Sequence, residues 1–540
     1  MSYNKVFSII SSFICIFYGQ YIKAQISGEF QTEAQYYIKD TITSSIEVPQ
    51  KAMMNAYFNI NYTYSNFNAG LRYESYQGPL IGYDTRYQGS GIAYRQITYT
   101  GQYFEITAGN FYEQYGNGMI LRTYEDRNLG YDNSIDGIKL KLFPYKGIIA
   151  KALWGTQRFF WQKSPGIIRG FDAEISLNEL SEKLDSLKTK IISGFSFVSK
   201  YQKDLDPIYI LPENVAAMSG RLRITRGNIT LSGEYAYKYN DPSTDNNKIY
   251  KPGQALLLNI IYAKKGLGFI IAAKRSDNMS FRSDRTATGN VLNINYLPVL
   301  AKEQYYSFAT MYPLVTQING EIGFQTQFIY TFKKASKIGG KYGTSITIAY
   351  DRTNSLKKNI LPDSTFMGYA SKFLSIGKDV YFETTTLEIR KKMSKSLNTI
   401  FSFINIIHNQ SVLLGHIGEP IIYAKVAVAD IVWRISDYKT LKYEFQHLWT
   451  HQDKKNWAGL QIEYTIAPKW FFNIGDQYNY ANSDQNRRIH YYTSGVGYVH
   501  TATRFMFSYG RHREGVVCVG GVCRNMPAYN GFSISIISSF

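Results

Sequence analysis

Histidine, serine and carboxylate side chains are where chemistry would first be sought in this chain. All seven histidines, His408, His416, His447, His451, His490, His500 and His512, fall in its last quarter. His447 and His451 stand four apart, which on a helix would aim both at one metal ion. Here they sit near the end of an alternating apolar–polar segment, where that spacing means little. His490 and Ser494 set a base and a nucleophile on one face of a strand, but about 13 Å apart and beyond hydrogen-bond reach. Asp132, Asn133 and Asp136 offer oxygens for calcium without the spacing of an EF-hand loop. There is no P-loop and no dinucleotide fingerprint. The expectation is a protein that is not an enzyme and has no cofactor or metal, with a barrel-embedded hydrolase as the weakest alternative.

Two polar stretches carry charges that would act on a solute. One, about 113–134, holds Arg122, Glu125, Asp126, Arg127 and Asp132, with Asp136 just beyond its end. The other, 295–316, holds Lys302 and Glu303 and does not alternate. Mixed charges at a narrow point of a pore set a transverse field that selects solutes. The same charges on solvated loops would only pair with one another. Segment 295–316 would constrict a lumen, form an external cap, or simply pack Tyr305, Tyr306, Phe308 and Tyr312.

The remaining reactive pair is Cys518 and Cys523, in Val517-Cys518-Val519-Gly520-Gly521-Val522-Cys523. In an exported chain this spacing, with its Gly-Gly turn, suits a disulfide that staples the loop 512–527. A CxxC redox motif is absent. Two thiolates without a histidine pair are a poor zinc site.

Export is expected from residues 1–24. Lys5 precedes the apolar run Val6–Gly19, too short to span a membrane and suited to a signal peptide cleaved after Ala24. Of 540 residues, 60 are Lys or Arg and 41 Asp or Glu, a formal charge of +19. Loss of Lys5 and Lys23 leaves +17. The abundant aromatic residues, with 47 tyrosines, exclude intrinsic disorder. No apolar run reaches the roughly 18–20 residues of a spanning helix.

The elements that position these groups are strands. In Asn55–Tyr64, one face reads Ala56, Phe58, Ile60, Tyr62, Tyr64 and the other Asn55, Tyr57, Asn59, Asn61, Thr63. Glu321–Phe332 and Ile229–Lys238 alternate likewise. Such segments run about 9–13 residues, the length of a tilted strand crossing a bilayer. Tight turns at Ser65-Asn66, Thr100-Gly101, Pro144–Gly147, Arg226–Asn228, Lys264–Gly266, Asp437–Lys439, Ala467–Lys469 and His500–Ala502 alternate with long polar connections. Those connections include 76–89, 113–134, 157–166, 202–215, 239–252, 276–319, 352–378 and 512–527, while 178–189 is a longer link on the short-turn side. This rhythm predicts an all-β protein: a large closed antiparallel transmembrane β-barrel of about 24 strands, two more or fewer. It forms one domain over 25–540, with short periplasmic turns and long extracellular loops. Aromatic pairs near strand ends, such as Tyr36-Tyr37 and Tyr491-Tyr492, suit membrane interfaces. The last strand, ending at Phe540, has Phe532, Ile534 and Ile536 on one face and resembles the signal read by the outer-membrane insertion machinery.

Three stretches carry a family resemblance: Phe111–Gly137 (FYEQYGNGMILRTYEDRNLGYDNSIDG), Asn295–Gln325 (NYLPVLAKEQYYSFATMYPLVTQINGEIGFQ) and Cys518–Gly531 (CVGGVCRNMPAYNG). They resemble a family of Bacteroidota outer-membrane β-barrel proteins known only as a domain of unknown function. Ala24-Gln25 also looks like the cleavage site of that phylum's exports. The resemblance implies fold and location in the Gram-negative outer membrane, and it supplies no catalytic residues. The leading functional expectation is a porin-like passive channel or transporter for small solutes, anionic ones among them, with polar alternates such as Asn59, Glu234 and Gln325 facing the lumen. The alternative is a non-conducting structural or assembly subunit of an envelope complex. An energised receptor fits less well, because alternation begins by Ile26. Expected partners are the bilayer, lipopolysaccharide and the insertion machinery. Nucleic acid is not expected.

Overall fold

The computed structural model describes residues 25–43, 48, 50–519 and 522–540, so the expected signal peptide lies outside the described residues. The alternating segments form one 24-stranded antiparallel sheet. Its first strand, Gln25–Tyr37, pairs with its last, Tyr529–Ser539, from Glu29↔Ser539 to Tyr37↔Gly531, which closes the ring. The backbone of Phe540 adds two hydrogen bonds to Gly28, at 2.9 and 3.0 Å. Its ring lies so close over Gly28 that a Cβ there would meet it at 2.2 Å. Among the described residues no helix is long and apolar enough to cross a membrane.

Alternation sorts the side chains into two environments. In Phe67–Gln77, Phe67, Leu71 and Tyr73 are exposed on the outer surface, whereas Arg72, Glu74 and Tyr76 are buried inside. In Ile229–Lys238, Ile229, Leu231 and Tyr235 are exposed and Glu234, Ala236 and Lys238 buried. An apolar outer band around a closed sheet is the membrane-type arrangement, since a ring leaves no backbone edge unpaired.

The ends of the ring differ. At one, turns such as 65–66, 146–147, 227–228, 265–266 and 501–502 are two residues long. Two longer links share this end: 177–188, with a one-turn helix Glu182–Asp185, and 333–343, which the sequence did not flag. The other end carries the long connections. Two expectations there are corrected. Residues 157–166 are not a loop. Strands Ile148–Phe159 and Gln162–Ser176 meet at the two-residue turn Phe160-Trp161, followed by a register shift between Lys163 and Ile167. Phe160 takes the left-handed φ of 54° usually given to Gly or Asn, so turn chemistry was not visible in its residue type. Residues 352–378 are also mostly strand. Thr344–Ile360 and Tyr369–Lys392 run outward as a two-stranded arm joined at 361–368, with register shifts between Thr353 and Lys358. Water on both sides of such an arm allows polar residues on both faces, which reads in sequence as a loop.

The outer band gives a direct test. Leu258 is exposed on the outer face of Gly253–Lys264, and its neighbour Asn259 points inward. Leu258→Arg is expected to cost about 2–4 kcal/mol in a bilayer, and Asn259→Arg much less, as read by urea unfolding of the reconstituted protein.

Candidate functional site: the occupied lumen

The interior is filled by the chain's own connections. Residues 112–134 turn into the ring from the end of Phe104–Phe111. There Tyr115, Met119, Ile120 and Leu121 are fully buried against Leu153, Ile168, Val198, Val215 and Leu257 of the inner wall. Asn117 donates to the Glu234 carboxylate through its backbone N–H and its Nδ2, both at 2.7 Å. Glu234 therefore faces inward but holds a loop.

An ionic clamp fixes the other flank of this segment. The Arg72 guanidinium contacts Glu74 at 2.8 Å, Glu125 at 2.6 Å and Asp132. Arg158 reaches Glu74 at 2.6 Å and Asp132 at 2.7 Å. Arg127 extends the chain to Glu125 at 2.9 Å and to Gln31 of the first strand at 2.7 Å. Removal from water alone would raise the Asp132 carboxyl, but Arg158 and Arg72 outweigh that and hold it below its ordinary 3.8. Glu74, Glu125 and Asp132 bring oxygens within 4.8 Å of one another, a spacing open to a cation. The two guanidiniums already take that role. Sequence reasoning missed Arg72, Glu74 and Arg158. The signal available was Arg72 and Glu74 two apart on the inward face of a strand, a charged pair that a barrel buries only for a partner.

Residues 278–320 form the second insertion. They dock on the first through backbone bonds from Arg122 to Ile294 at 2.8 Å and from Tyr296 to Gly118 at 3.0 Å. Asn295 Nδ2 donates to the Met119 and Met279 carbonyls. Wall lysines bind the insertion's backbone: Lys200 Nζ donates to the Arg282 carbonyl at 2.9 Å and Lys274 Nζ to that of Pro298 at 2.5 Å. The Ser283 carbonyl passes so close to the wall at Gly166 that a Cβ there would lie 2.0 Å from it. Beyond Leu300 the segment crosses to a second arc of wall. Phe308, Tyr312 and Leu314 pack there with Phe382, Ile404, Ile406, Val426, Leu448 and Trp457. Phe308 N–H donates to Gln446 at 3.0 Å, and Tyr312 OH to Asp453 at 3.1 Å.

The hairpin of Gly515–Val519 and Val522–Met526 covers both insertions, with Cys518 opposite Cys523 and joined to it by a disulfide. Val522 packs on Leu129 and Tyr131. Asn290 donates to the Cys523 carbonyl, and Arg513 to the Ser307 carbonyl at 3.2 Å. The stapled segment thus folds back onto the lumen.

The charged residues singled out in the sequence divide into groups. Glu125 and Arg127 belong to the clamp. Asp126 accepts from the N–H groups of Asn128 and Leu129 and shapes the turn. Arg122 lies between the rings of Tyr124 and Tyr296, at 4.6 and 4.1 Å. Lys302 N–H donates to Asp351 at 3.0 Å and its Nζ lies 3.4 Å from Glu388, while Glu303 accepts from Tyr305. Of this set, Arg122, Lys302 and Glu303 line a cavity of about 1070 Å³ between the second insertion, the hairpin and the wall around Tyr491. Asp136 pairs with Lys163 and Arg95, whereas Asp132 pairs with Arg72 and Arg158. His490 contacts Asp476 at 2.6 Å, and Ser494 Oγ donates to the Tyr509 carbonyl instead. His447 meets Tyr480 OH.

A large membrane-type barrel with an occupied lumen is the class that fold and interior define. The chain belongs to the family of unknown function DUF6029, whose model matches residues 3–540. No curated protein matches the sequence. Among solved structures, the chain is similar to the translocation pore of the P pilus usher PapC, with 8% identity, 95% of this chain and 99% of that chain covered, and a TM-score of 0.46. It is also similar to a ferric enterobactin receptor (PfeA) variant from Pseudomonas aeruginosa in complex with enterobactin, at 10% identity, 96% and 82% coverage and a TM-score of 0.46. For OpdQ of Pseudomonas aeruginosa the values are 8%, 97% and 99%, and 0.34.

Removing one arm of the clamp strands buried carboxylates. Arg158→Met is expected to cost about 3–5 kcal/mol and to raise amide hydrogen exchange over 112–134. In the parent protein, the depressed Asp132 pKa contributes stability that is complete above the ordinary carboxyl range and is lost only as pH falls through the lower, folded value. Exchange over 112–134, corrected for intrinsic rates, should therefore stay flat from pH 7 to about 4 and rise below it.

Proposed function

We propose that this chain is an outer-membrane transport barrel that is shut at rest by its own loops, with the long connections outside the cell and the short turns in the periplasm. The apolar outer band and the asymmetry of loop lengths support the location, as does the aromatic C-terminal strand. The observation that carries the resting closure is the double apolar packing of 278–320, with Leu297 and Leu300 on one arc of wall and Phe308 and Leu314 on the next. A permanently wet, porin-like lumen has no use for such packing. Conduction then requires the insertion to move, and the cavity beside it is where a solute would wait. Arg122 has no carboxylate partner among the described residues and gives that cavity an unmatched positive charge. Small anionic solutes are the favoured cargo. The chain acts without catalysis or a cofactor in this reading.

Planar-bilayer recording tests it. The parent protein should show rare, brief openings, and deletion of 295–316 should give a steady open level. Phe308→Ala combined with Leu314→Ala should raise open probability without removing chain. A large steady conductance of the parent would overturn the resting closure. A folded deletion variant that never conducts would overturn transport and favour a structural subunit of an envelope complex.

A further inference from the structure

Positive charge is gathered on one arc of the short-turn end. Five consecutive turns there, 265–266, 333–343, 393–396, 435–438 and 467–469, contain a single acid, Asp437. The longest, 333–343, presents Lys333, Lys334, Lys337 and Lys341, all exposed. It is an ordered platform: Ala335 N–H donates to Gly340 O at 2.7 Å, and Gly340 N–H to Ser336 O at 2.8 Å. The next turn adds Lys391, Lys392 and Lys395, and Tyr342 sits between the two turns with Lys341 and Lys392 both within 6 Å of its ring. Lys265, Lys439 and Lys469 continue the arc. None of these lysines takes part in an ion pair among the described residues. The other turns of this end lack such an excess: 177–188 sets Lys183 and Lys188 against Glu179, Glu182 and Asp185.

A second observation places this arc at a lipid surface. Trp433, Tyr438 and Trp470 are exposed on the outside of the same strand ends, with Ile338, Met393 and Ile435 beside them. Aromatic rings at that level belong at the headgroup boundary, and unpaired lysines just beyond them meet headgroup phosphates. We infer that the arc from 265 to 469 is a binding surface for anionic phospholipid headgroups of the leaflet at the short-turn end. The inference rests on the membrane reading above. Clustered lysines at a membrane surface are worth roughly fivefold in binding each, attenuated by salt. One side of the barrel would thereby hold a patch of anionic lipid while the other side does not.

The test uses the full mature chain in detergent, given equal amounts of phosphatidylglycerol and phosphatidylcholine of one chain length, with retained lipid counted by native mass spectrometry. The parent should retain phosphatidylglycerol preferentially, and less of it as salt rises. K333Q/K334Q/K337Q/K341Q should lower that retention at least tenfold, and K391Q/K392Q/K395Q should lower it severalfold. K203Q/K357Q/K372Q/K378Q, which removes exposed lysines at the other end, should leave it unchanged. Equal retention of the two lipids by the parent, or equal losses in the control variant, would overturn the inference. Failure of the membrane reading would appear separately, as a chain that stays folded and monomeric without detergent before any lipid is added.

Discussion

Backbone hydrogen bonding in a ring is the constraint from which the rest follows. A sheet in hydrocarbon cannot leave an edge, and here the first and last strands remove the edge by pairing with each other. Once the ring is closed, every strand has an outside and an inside, and alternation along the sequence assigns each residue to one or the other. The outside must be apolar. The inside is free, and the chain fills it from one end with connections of its own.

That filling changes what the inward residues are for. In an open channel, inward charges such as Arg72, Glu74, Glu234 and Lys274 would line water. Here they hold inserted segments: Arg72 through Asp132 and Glu125, with Glu74 bracing Arg72 and Arg158, Glu234 through Asn117, and Lys274 through the Pro298 carbonyl. Buried ion pairs of this kind add little net stability over an apolar contact, but leaving one member alone is costly. They therefore specify where the insertions sit more than how stable the barrel is. The apolar residues of the same segments supply the burial, and glycines such as Gly166 let backbone approach wall.

The fold was legible because alternation and turn length are local signals. Faces such as Ile229, Leu231 and Tyr235 against Thr230, Ser232 and Glu234 needed no tertiary information, and most short turns carried Gly, Asn or Pro. The misreadings arose where a local cue was replaced by a long-range one. Phe160-Trp161 turns without turn residues because Trp161 donates to the Tyr87 carbonyl. The arm at 344–392 alternates weakly because no bilayer imposes a face on its outer half. The interior was legible only in part. Arg122 came from one polar stretch and Lys302 and Glu303 from the other, and the three line one cavity, but Glu125 and Arg127 belong to a clamp that reaches Arg72, 53 residues before Glu125, and Gln31, 96 before Arg127. No spacing rule reaches that far.

The second insertion lies midway along the chain and touches wall strands made both before and after it. Its first half packs on strands up to Leu267–Asp277, and its second half on strands from Tyr369–Lys392 to Trp457–Ile466. During biogenesis this stretch cannot find its final neighbours until the C-terminal third has been synthesised and aligned. Until then Phe308 and Leu314 have nothing to cover them. An apolar hinge left bare for so long is a liability for premature aggregation, and the growing wall must gather around it rather than receive it later.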